Sequence, residues 1–405
     1  MNDTFQGLMR EATRLTQSGK LAEATALIQR AMKQRGPSAE TDTRADSAAA
    51  AIGEKGQPLT TPPDANHNDV IEGCVREVVE VPETVEVVEP VEAFQPPNPF
   101  GTAAGLGRRT SSSPIARETF ASGQFVSNSQ SHQYKLYSPA QQSTDEPLPL
   151  VVMLHGCTQN PDDFSVGTGM NLVARGADNT QAFYVLYPSQ TRAANAQGCW
   201  NWFDRAHQRR GQGEPAWIAA LTQQLLRTLP IDSRRVYVAG LSAGGAMAAI
   251  VGAAYPDIFA AVGVHSGLPV GAARNLTEAL TAMKHGSSSP TTSASTTSVQ
   301  PVPTIVFHGD QDRTVHARNA QGLVDAATVG LQGQASVQSG VSAAGRHHTR
   351  SVHSRHGKPH AELWELHGAG HAWSGGHPAG SYTDAKGVDA TLEMVKFFLQ
   401  HRLPE

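Results

Sequence analysis

A serine flanked by small residues is the first candidate for chemistry in this sequence. Residues 240–244 read G-L-S-A-G, which fits the pattern G-x-S-x-G and places Ser242 between an apolar run and an alanine-rich run. A serine at a sharp turn from a strand into a helix is typical of a nucleophile elbow, whose strained backbone exposes the hydroxyl. Gly240 and Gly244 would let the strand and the helix approach each other closely. The alternative interpretation is a glycine-rich turn in which the serine only caps the helix.

A serine nucleophile needs a histidine base and a carboxylate that orients the base. Asp310 and Asp312 follow the strand-like run PTIVFHG, and His367 and His371 follow the next such run, AELWEL. The chain order Ser, Asp, His is that of an α/β-hydrolase, and loops after parallel strands meet at one edge of the sheet. The residues alone leave the choice within the two pairs open.

The elements that must position these residues begin near residue 120. Short β-branched or aromatic runs, closed by Gly, Pro or Ser, alternate with helical windows that include 214–229 and 243–254. This alternation predicts an α/β fold, in which a mostly parallel sheet carries helices on both faces. The strand-like runs are HQYKLYSP, LPLVVMLHG, AFYVLYPS, RRVYVAGLS, FAAVGVHSG, PTIVFHGD and AELWELHG.

The chain divides into parts of different composition. Apolar periodicity in residues 1–34 predicts an amphipathic helical hairpin, which is either a packing or oligomerisation appendage or a docking device for an apolar surface. Residues 35–115, rich in Pro, Glu, Thr, Ser and Ala, have the composition of a disordered or extended linker. The catalytic domain is expected at 116–405, with a low-complexity insertion at about 285–302 and a His- and Arg-rich exposed loop or hairpin at 343–360.

Composition excludes several functions. Lys and Arg number 32 against 36 Asp and Glu, so the net charge of −4 offers no field for nucleic acid. No apolar window of about 18 residues predicts a membrane span, and the N-terminus has no signal-peptide pattern. We therefore expect a soluble, cytoplasmic protein, with an extracellular location by an unrecognised route as the alternative. The sequence leaves the oligomeric state open.

Cysteine and histidine spacing gives no sign of a metal. The three cysteines lack CxxC spacing, and the histidines between 346 and 360 have neither a helical i, i+4 arrangement nor carboxylate companions. No metal and no cofactor are expected.

Five segments carry a further signal, and in chain order they are HGCTQNPDDFSVGTGMN, CWNWF, GLSAGGAM, HGDQDRTVHARNA and GAGHAWSGG. Together they resemble the polyhydroxybutyrate depolymerase family of esterases, which is similar to feruloyl and acetylxylan esterases. The resemblance covers roughly residues 115–400 and implies an α/β-hydrolase fold with Asp312 as the acid and His371 as the base. It implies a short-chain hydroxyacyl ester substrate from polyhydroxybutyrate or its oligomers, with a polymer granule as a potential surface. Feruloyl or acetyl esters of plant polysaccharide are the runner-up, and a non-catalytic scaffold is the remote alternative.

An oxyanion hole needs two backbone N–H groups. Ala243, directly after the serine, is expected to supply one, and the resemblance favours the amide of Cys157 for the other. The resemblance also implies a disulfide between Cys157 and Cys199, with two free thiols as the alternative. Trp200 and Trp373 are candidate walls for an acyl or aryl group, with core packing as the alternative.

Overall fold

The structure is a computed structural model, and it describes residues 117–140, 146–176, 181–287 and 301–405. The predicted hairpin at 1–34, the predicted linker at 35–115 and most of the predicted insertion at 285–302 lie outside these residues.

Ten strands of the described chain form one sheet. They are β1 (Thr119–Ser127), β2 (Gln130–Ser138), β3 (Leu148–Leu154), β4 (Tyr184–Pro188), β5 (Ile231–Leu241), β6 (Ala261–His265), β7 (Thr304–Gly309), β8 (Ser336–Val341), β9 (His347–Arg355) and β10 (Lys358–Leu366). Their order across the sheet is β1-β2-β4-β3-β5-β6-β7-β10-β9-β8. The six central strands, from β4 to β10, are parallel. Antiparallel pairs extend the sheet at both edges.

Helices connect the strands. They are α1 (Pro161–Thr168), α2 (Met170–Ala174), α3 (Gly213–Thr228), α4 (Ala243–Ala254), α5 (Leu276–His285), α6 (Arg318–Ala327) and α7 (Ala390–Phe398), with a 3-10 turn at Arg205–His207. Two short strands, β11 (Trp373–Ser374) and β12 (Thr383–Asp384), pair separately. The predicted windows at 214–229 and 243–254 correspond to α3 and α4.

Apolar side chains are buried on both faces of the sheet. Along β5, Val236 and Val238 face a core formed with α3 and α4, and Tyr237 and Ala239 face a second core formed with α1 and α7. This division follows from the strand period of two, which sends successive side chains to opposite faces. The predicted α/β fold, with helices on both faces of a mostly parallel sheet, is confirmed.

Three strands of the ten-stranded sheet, β1, β8 and β9, were not predicted as strands from the sequence. They lie in the edge regions of the sheet, where half-buried or exposed polar residues give little apolar alternation. The His- and Arg-rich stretch at 343–360 forms β9 and the turn into β10, so it is a hairpin. In the described ranges, no helix is both long enough and apolar enough to cross a bilayer.

Candidate active site

Ser242 lies at the turn between β5 and α4 with a strained backbone. Its φ is 57° and its ψ is −119°, a conformation that is unusual for any residue other than glycine. A Cβ on Gly240 would lie 2.4 Å from the carbonyl carbon of Gly244, and a Cβ on Gly244 would lie 2.0 Å from the carbonyl oxygen of Leu154. The tight turn therefore requires both glycines, as expected of a nucleophile elbow.

His265 connects this turn to the loop that carries His371. Its carbonyl oxygen accepts a hydrogen bond from the Ser242 amide at 2.9 Å, and its Nε2 accepts one from the Ser374 amide at 3.0 Å. Burial, together with the nearby His308 and His371, lowers the pKa of His265 to about 3. His265 is therefore neutral, and its hydrogen bonds join the Ser242 turn to the segment that contains Ser374. The sequence analysis missed it, although a histidine at the end of a buried strand was a visible signal.

Asp312 and His371 form a buried pair. Asp312 Oδ2 lies 2.7 Å from His371 Nδ1, and their side chains are 0% and 12% exposed. The amides of Thr314 and Val315 donate to Asp312 Oδ1 at 2.9 and 2.8 Å. Burial raises the pKa of Asp312, but the hydrogen bond and charge of His371 and the Val315 amide outweigh it and leave the pKa below its ordinary value. Asp312 is therefore ionised at neutral pH and can hold the imidazole with Nδ1 protonated.

Asp310 and His367 form a second pair on the surface. Asp310 Oδ2 lies 3.2 Å from His367 Nδ1, and the side chains are 41% and 43% exposed. His367 Nε2 lies 2.8 Å from the Thr349 hydroxyl. Both Asp–His pairs that the sequence offered are thus formed, and burial distinguishes them.

Ser242 and His371 are at the same edge of the sheet but do not hydrogen-bond to each other. Ser242 follows β5, Asp312 follows β7 and His371 follows β10, and these are parallel strands. Among the described residues, neither Ser242 Oγ nor His371 Nε2 has a hydrogen-bond partner. Catalytic hydrogen bonds are often long without substrate and tighten in the complex. Both atoms are therefore free to engage a substrate.

His308, another residue that the sequence analysis missed, lies against Asp312. Its Nε2 donates to the Val315 carbonyl at 2.8 Å and is 3.5 Å from Asp312 Oδ2. Burial lowers the pKa of His308, so the imidazole is neutral. It braces the loop that positions Asp312.

Two backbone amides have no acceptor among the described residues where an oxyanion hole is expected. The Ala243 amide is at the first turn of α4, where N–H groups have no acceptor within the helix. Within the described chain, the Cys157 amide also donates to no protein acceptor. Cys157 is joined to Cys199 by a disulfide. The bond connects the loop after β3 to the loop after β4.

Trp200 and Trp373 require a correction, because neither is an open wall. Trp200 is 0% exposed and Trp373 is 1% exposed. The Trp200 indole donates to the His155 carbonyl at 3.0 Å, and the Trp373 indole donates to Thr391 Oγ1 at 3.0 Å. Hydrogen bonding and enclosure on all sides make both of them packing residues that support the loops around Ser242.

Across the described ranges, no group of three or more His, Cys, Asp or Glu side chains is arranged to hold a metal ion.

The parallel sheet, the strained serine at a strand-to-helix turn and the buried Asp–His pair define an α/β-hydrolase fold with a candidate serine hydrolase site. The sequence profile described as Esterase PHB depolymerase matches residues 132–350. The chain belongs to this family.

Individual relatives agree with this family. The chain is 34% identical over 233 residues to poly(3-hydroxyalkanoate) depolymerase C of Paucimonas lemoignei, covering 55% of this chain and 54% of that protein. It is 28% identical over 286 residues to poly(3-hydroxybutyrate) depolymerase of Ralstonia pickettii, covering 66% and 57%. The chain thus spans little more than half the length of these relatives.

A solved structure is similar in fold. The acetyl xylan esterase from Aspergillus awamori matches with a TM-score of 0.55 at 19% identity, covering 69% of this chain and 98% of that one. At that identity the similarity supports the α/β-hydrolase fold and nothing finer.

Proposed function

We propose that this chain is a serine esterase that hydrolyses short-chain hydroxyacyl esters, with poly(3-hydroxybutyrate) or its oligomers as substrate. The observation that carries the proposal is the buried hydrogen bond between Asp312 and His371 at the sheet edge where strained Ser242 lies. The names of the two depolymerase relatives support the substrate class.

In the proposed mechanism, His371 Nε2 takes the Ser242 proton while Ser242 Oγ attacks the ester carbonyl. The amides of Ala243 and Cys157 stabilise the oxyanion, and Asp312 stabilises the imidazolium. The carbon–oxygen bond to the leaving alcohol then breaks, and that alcohol takes the proton from His371. Water, deprotonated by the same histidine, attacks the acyl-enzyme, and the proton returns to Ser242 as the free acid leaves.

A carbohydrate esterase is the second candidate. The chain is 33% identical to feruloyl esterase B of Thermothelomyces thermophilus, over 151 residues that make up 37% of this chain. Turnover of 3-hydroxybutyrate oligomers, amorphous polymer granules, methyl ferulate and acetylated xylan separates the two candidates. We expect the oligomers to give the highest kcat/KM. Faster turnover of methyl ferulate or acetylated xylan would favour the carbohydrate esterase.

The disulfide is expected to support the oxyanion hole more than the overall fold. Reduction of the Cys157–Cys199 bond should lower kcat by about tenfold. The expected loss is smaller than the loss on the order of 10²-fold that removal of one oxyanion donor causes, because the amide of Cys157 would be displaced but still present. Ester turnover and thermal unfolding, measured before and after dithiothreitol, test this. The Cys157→Ala/Cys199→Ala variant is the control, since reduction should change its activity no further. Mass spectrometry after non-reducing alkylation that found free thiols at both positions would contradict the bond itself.

Such a bond is typical of proteins in oxidising compartments. Confirmation of the bond by mass spectrometry would favour the extracellular alternative over the cytoplasmic location that the sequence predicts.

The N-terminal region is proposed to dock the enzyme to an apolar polymer surface, because its amphipathic pattern precedes a long stretch of linker composition. Deletion of residues 1–110 should change hydrolysis of p-nitrophenyl butyrate by less than about twofold, because uncoupled regions act independently. Turnover of polymer granules should fall further. Equal loss on both substrates would indicate that the segment supports the catalytic domain, and loss on neither would make it dispensable.

A further inference from the structure

A cleft of about 630 Å³ lies apart from Ser242, which is not among its lining residues. One side is the turn between β1 and β2, and the other is formed by the loop after β4 and the beginning of α3. Its lining residues are Ser127, Asn128, Gln130, Ser131, His132, Gln190, Thr191, Ala193, Ala194, Asn201, His207, Gly211, Gly213, Glu214, Ala216 and Trp217. This volume is in the range of a small-molecule site.

The cleft opens at the same sheet edge as the candidate active site. β2 pairs with β4 so that Tyr134 lies opposite Pro188, which places the β1–β2 turn beyond the carboxyl end of β4. Because β4 is two strands from β5, the cleft is roughly 10–15 Å along the edge from Ser242, at about 4.8 Å per strand. A ligand in the cleft would be a remote part of an extended substrate.

The wall of the cleft is also hydrogen-bonded to residues that hold the loop after β3, which carries Cys157. The Gln190 amide donates to His155 Nε2 at 3.1 Å, and the Gln190 side chain donates to the Cys199 carbonyl at 3.3 Å. Cys199 carries the disulfide to Cys157. Gln190 and the disulfide therefore link the wall of the cleft to the loop that carries Cys157.

Three hydrogen-bond donors of the cleft, on Trp217, His207 and Thr191, have no acceptor among the described residues. Trp217 is 7% exposed, and its Nε1–H has no acceptor among the described residues. His207 Nδ1 accepts the hydrogen bond of the Glu214 amide at 3.0 Å, so the N–H of the imidazole is at Nε2. The Thr191 hydroxyl accepts from the Ala194 amide but donates to no described group.

Two acceptors of the cleft, the Glu214 carboxylate and the Gln190 side-chain oxygen, in contrast already accept hydrogen bonds from the protein. The Glu214 carboxylate accepts from the Asn201 amide at 2.8 Å, the Asn201 side chain at 2.7 Å and Gln190 Nε2. The Gln190 side-chain oxygen accepts the Thr191 amide at 2.9 Å. A ligand rich in hydroxyl donors would find these acceptors already partnered.

The charge of the cleft selects against anions. Among the described residues, its lining contains a buried carboxylate, Glu214, and no lysine or arginine. A carboxylate or phosphate would lose its hydration without gaining a cation. The occupant is therefore neutral and supplies acceptor oxygens, and Ala193, Ala194 and Ala216 provide apolar contact.

From these observations we infer that the cleft is a remote subsite for an ester-linked hydroxyalkanoate chain, whose carbonyl oxygens accept from Trp217, His207 and Thr191. The inference rests on the proposed function. A polyester segment suits the cleft because its repeating units carry acceptors and methyl groups but no donors.

Trp217→Phe tests the subsite, because it removes the N–H and keeps an aromatic ring. We expect the ratio of kcat/KM for a 3-hydroxybutyrate tetramer to kcat/KM for p-nitrophenyl butyrate to fall about fivefold, which corresponds to one net hydrogen bond. Trp364→Phe is the matched control: Trp364 is 6% exposed, and its indole donates to Glu362 outside the cleft. It should change the ratio by less than about twofold. Thr191→Val provides a second variant if Trp217→Phe does not fold. It removes the Thr191 hydroxyl and should also lower the ratio.

Binding provides a readout that is independent of turnover. In Ser242→Ala protein, calorimetry should show the tetramer bound about fivefold more weakly after Trp217→Phe. An unchanged ratio and an unchanged Kd would overturn the subsite, as would tight binding of xylotetraose in place of the tetramer. If wild-type protein hydrolyses no 3-hydroxybutyrate oligomer, the proposed function itself fails. If it hydrolyses them and Trp217→Phe has no selective effect, only the subsite fails.

Discussion

Ser242→Ala and His371→Ala are each expected to lower kcat/KM for p-nitrophenyl butyrate by on the order of 10³-fold or more. Alanine at 242 removes the atom that attacks the carbonyl, and alanine at 371 removes the group that accepts its proton. The double variant should be little worse than either single variant, because the two residues act as one unit. Steady-state kinetics on the three purified proteins, with circular dichroism to confirm folding, make the comparison.

The non-additivity is the informative part of that experiment. If the two losses multiplied in the double variant, the residues would act independently, and the proposed proton transfer between them would be wrong. A Ser242→Ala protein with near wild-type turnover would remove the serine from the mechanism.

Asp312→Asn is expected to lower kcat by on the order of 10³-fold or more, whereas Asp310→Asn should have a far smaller effect. An amide at 312 cannot stabilise the imidazolium as a carboxylate does, and it favours the wrong tautomer of His371. Asp310 is the matched control because it makes the same kind of contact, to His367, on the exposed surface. Kinetics on both variants decide between the pairs. A severe effect of Asp310→Asn with a mild effect of Asp312→Asn would reverse the assignment of the acid while keeping the enzyme class.

The two Asp–His pairs also show how far the sequence predicts the site. The elbow was predictable from local pattern, because Gly240, Ser242 and Gly244 are contiguous and the required backbone is a property of that segment. The choice of pair was not, because both loops follow buried strands and both carry the required residue types. Only burial distinguishes the pairs, and burial depends on how distant parts of the chain pack. The resemblance supplied the choice of Asp312 and His371, with which the buried geometry agrees.

Packing likewise decided the roles that the sequence assigned poorly. Trp200 and Trp373 are large apolar residues beside functional segments. Sequence position does not distinguish a residue that lines a substrate site from one that packs in the core. His265, the last residue of β6, and His308, near the end of β7, were missed because each lies within a buried strand rather than in a loop that follows one. The parallel core of the sheet was predictable from its continuous apolar runs, whereas the edge strands β1, β8 and β9 carry too little apolar alternation.

Labelling by a serine-directed fluorophosphonate, followed by peptide mass spectrometry, tests most directly whether Ser242 is the nucleophile. The proposed mechanism predicts one stoichiometric adduct on the peptide that contains Ser242, with loss of esterase activity in step with labelling and no adduct in Ser242→Ala protein. Esterase-active protein that is inactivated through a different residue, or that remains unlabelled at Ser242, would contradict the assignment of Ser242 as the nucleophile.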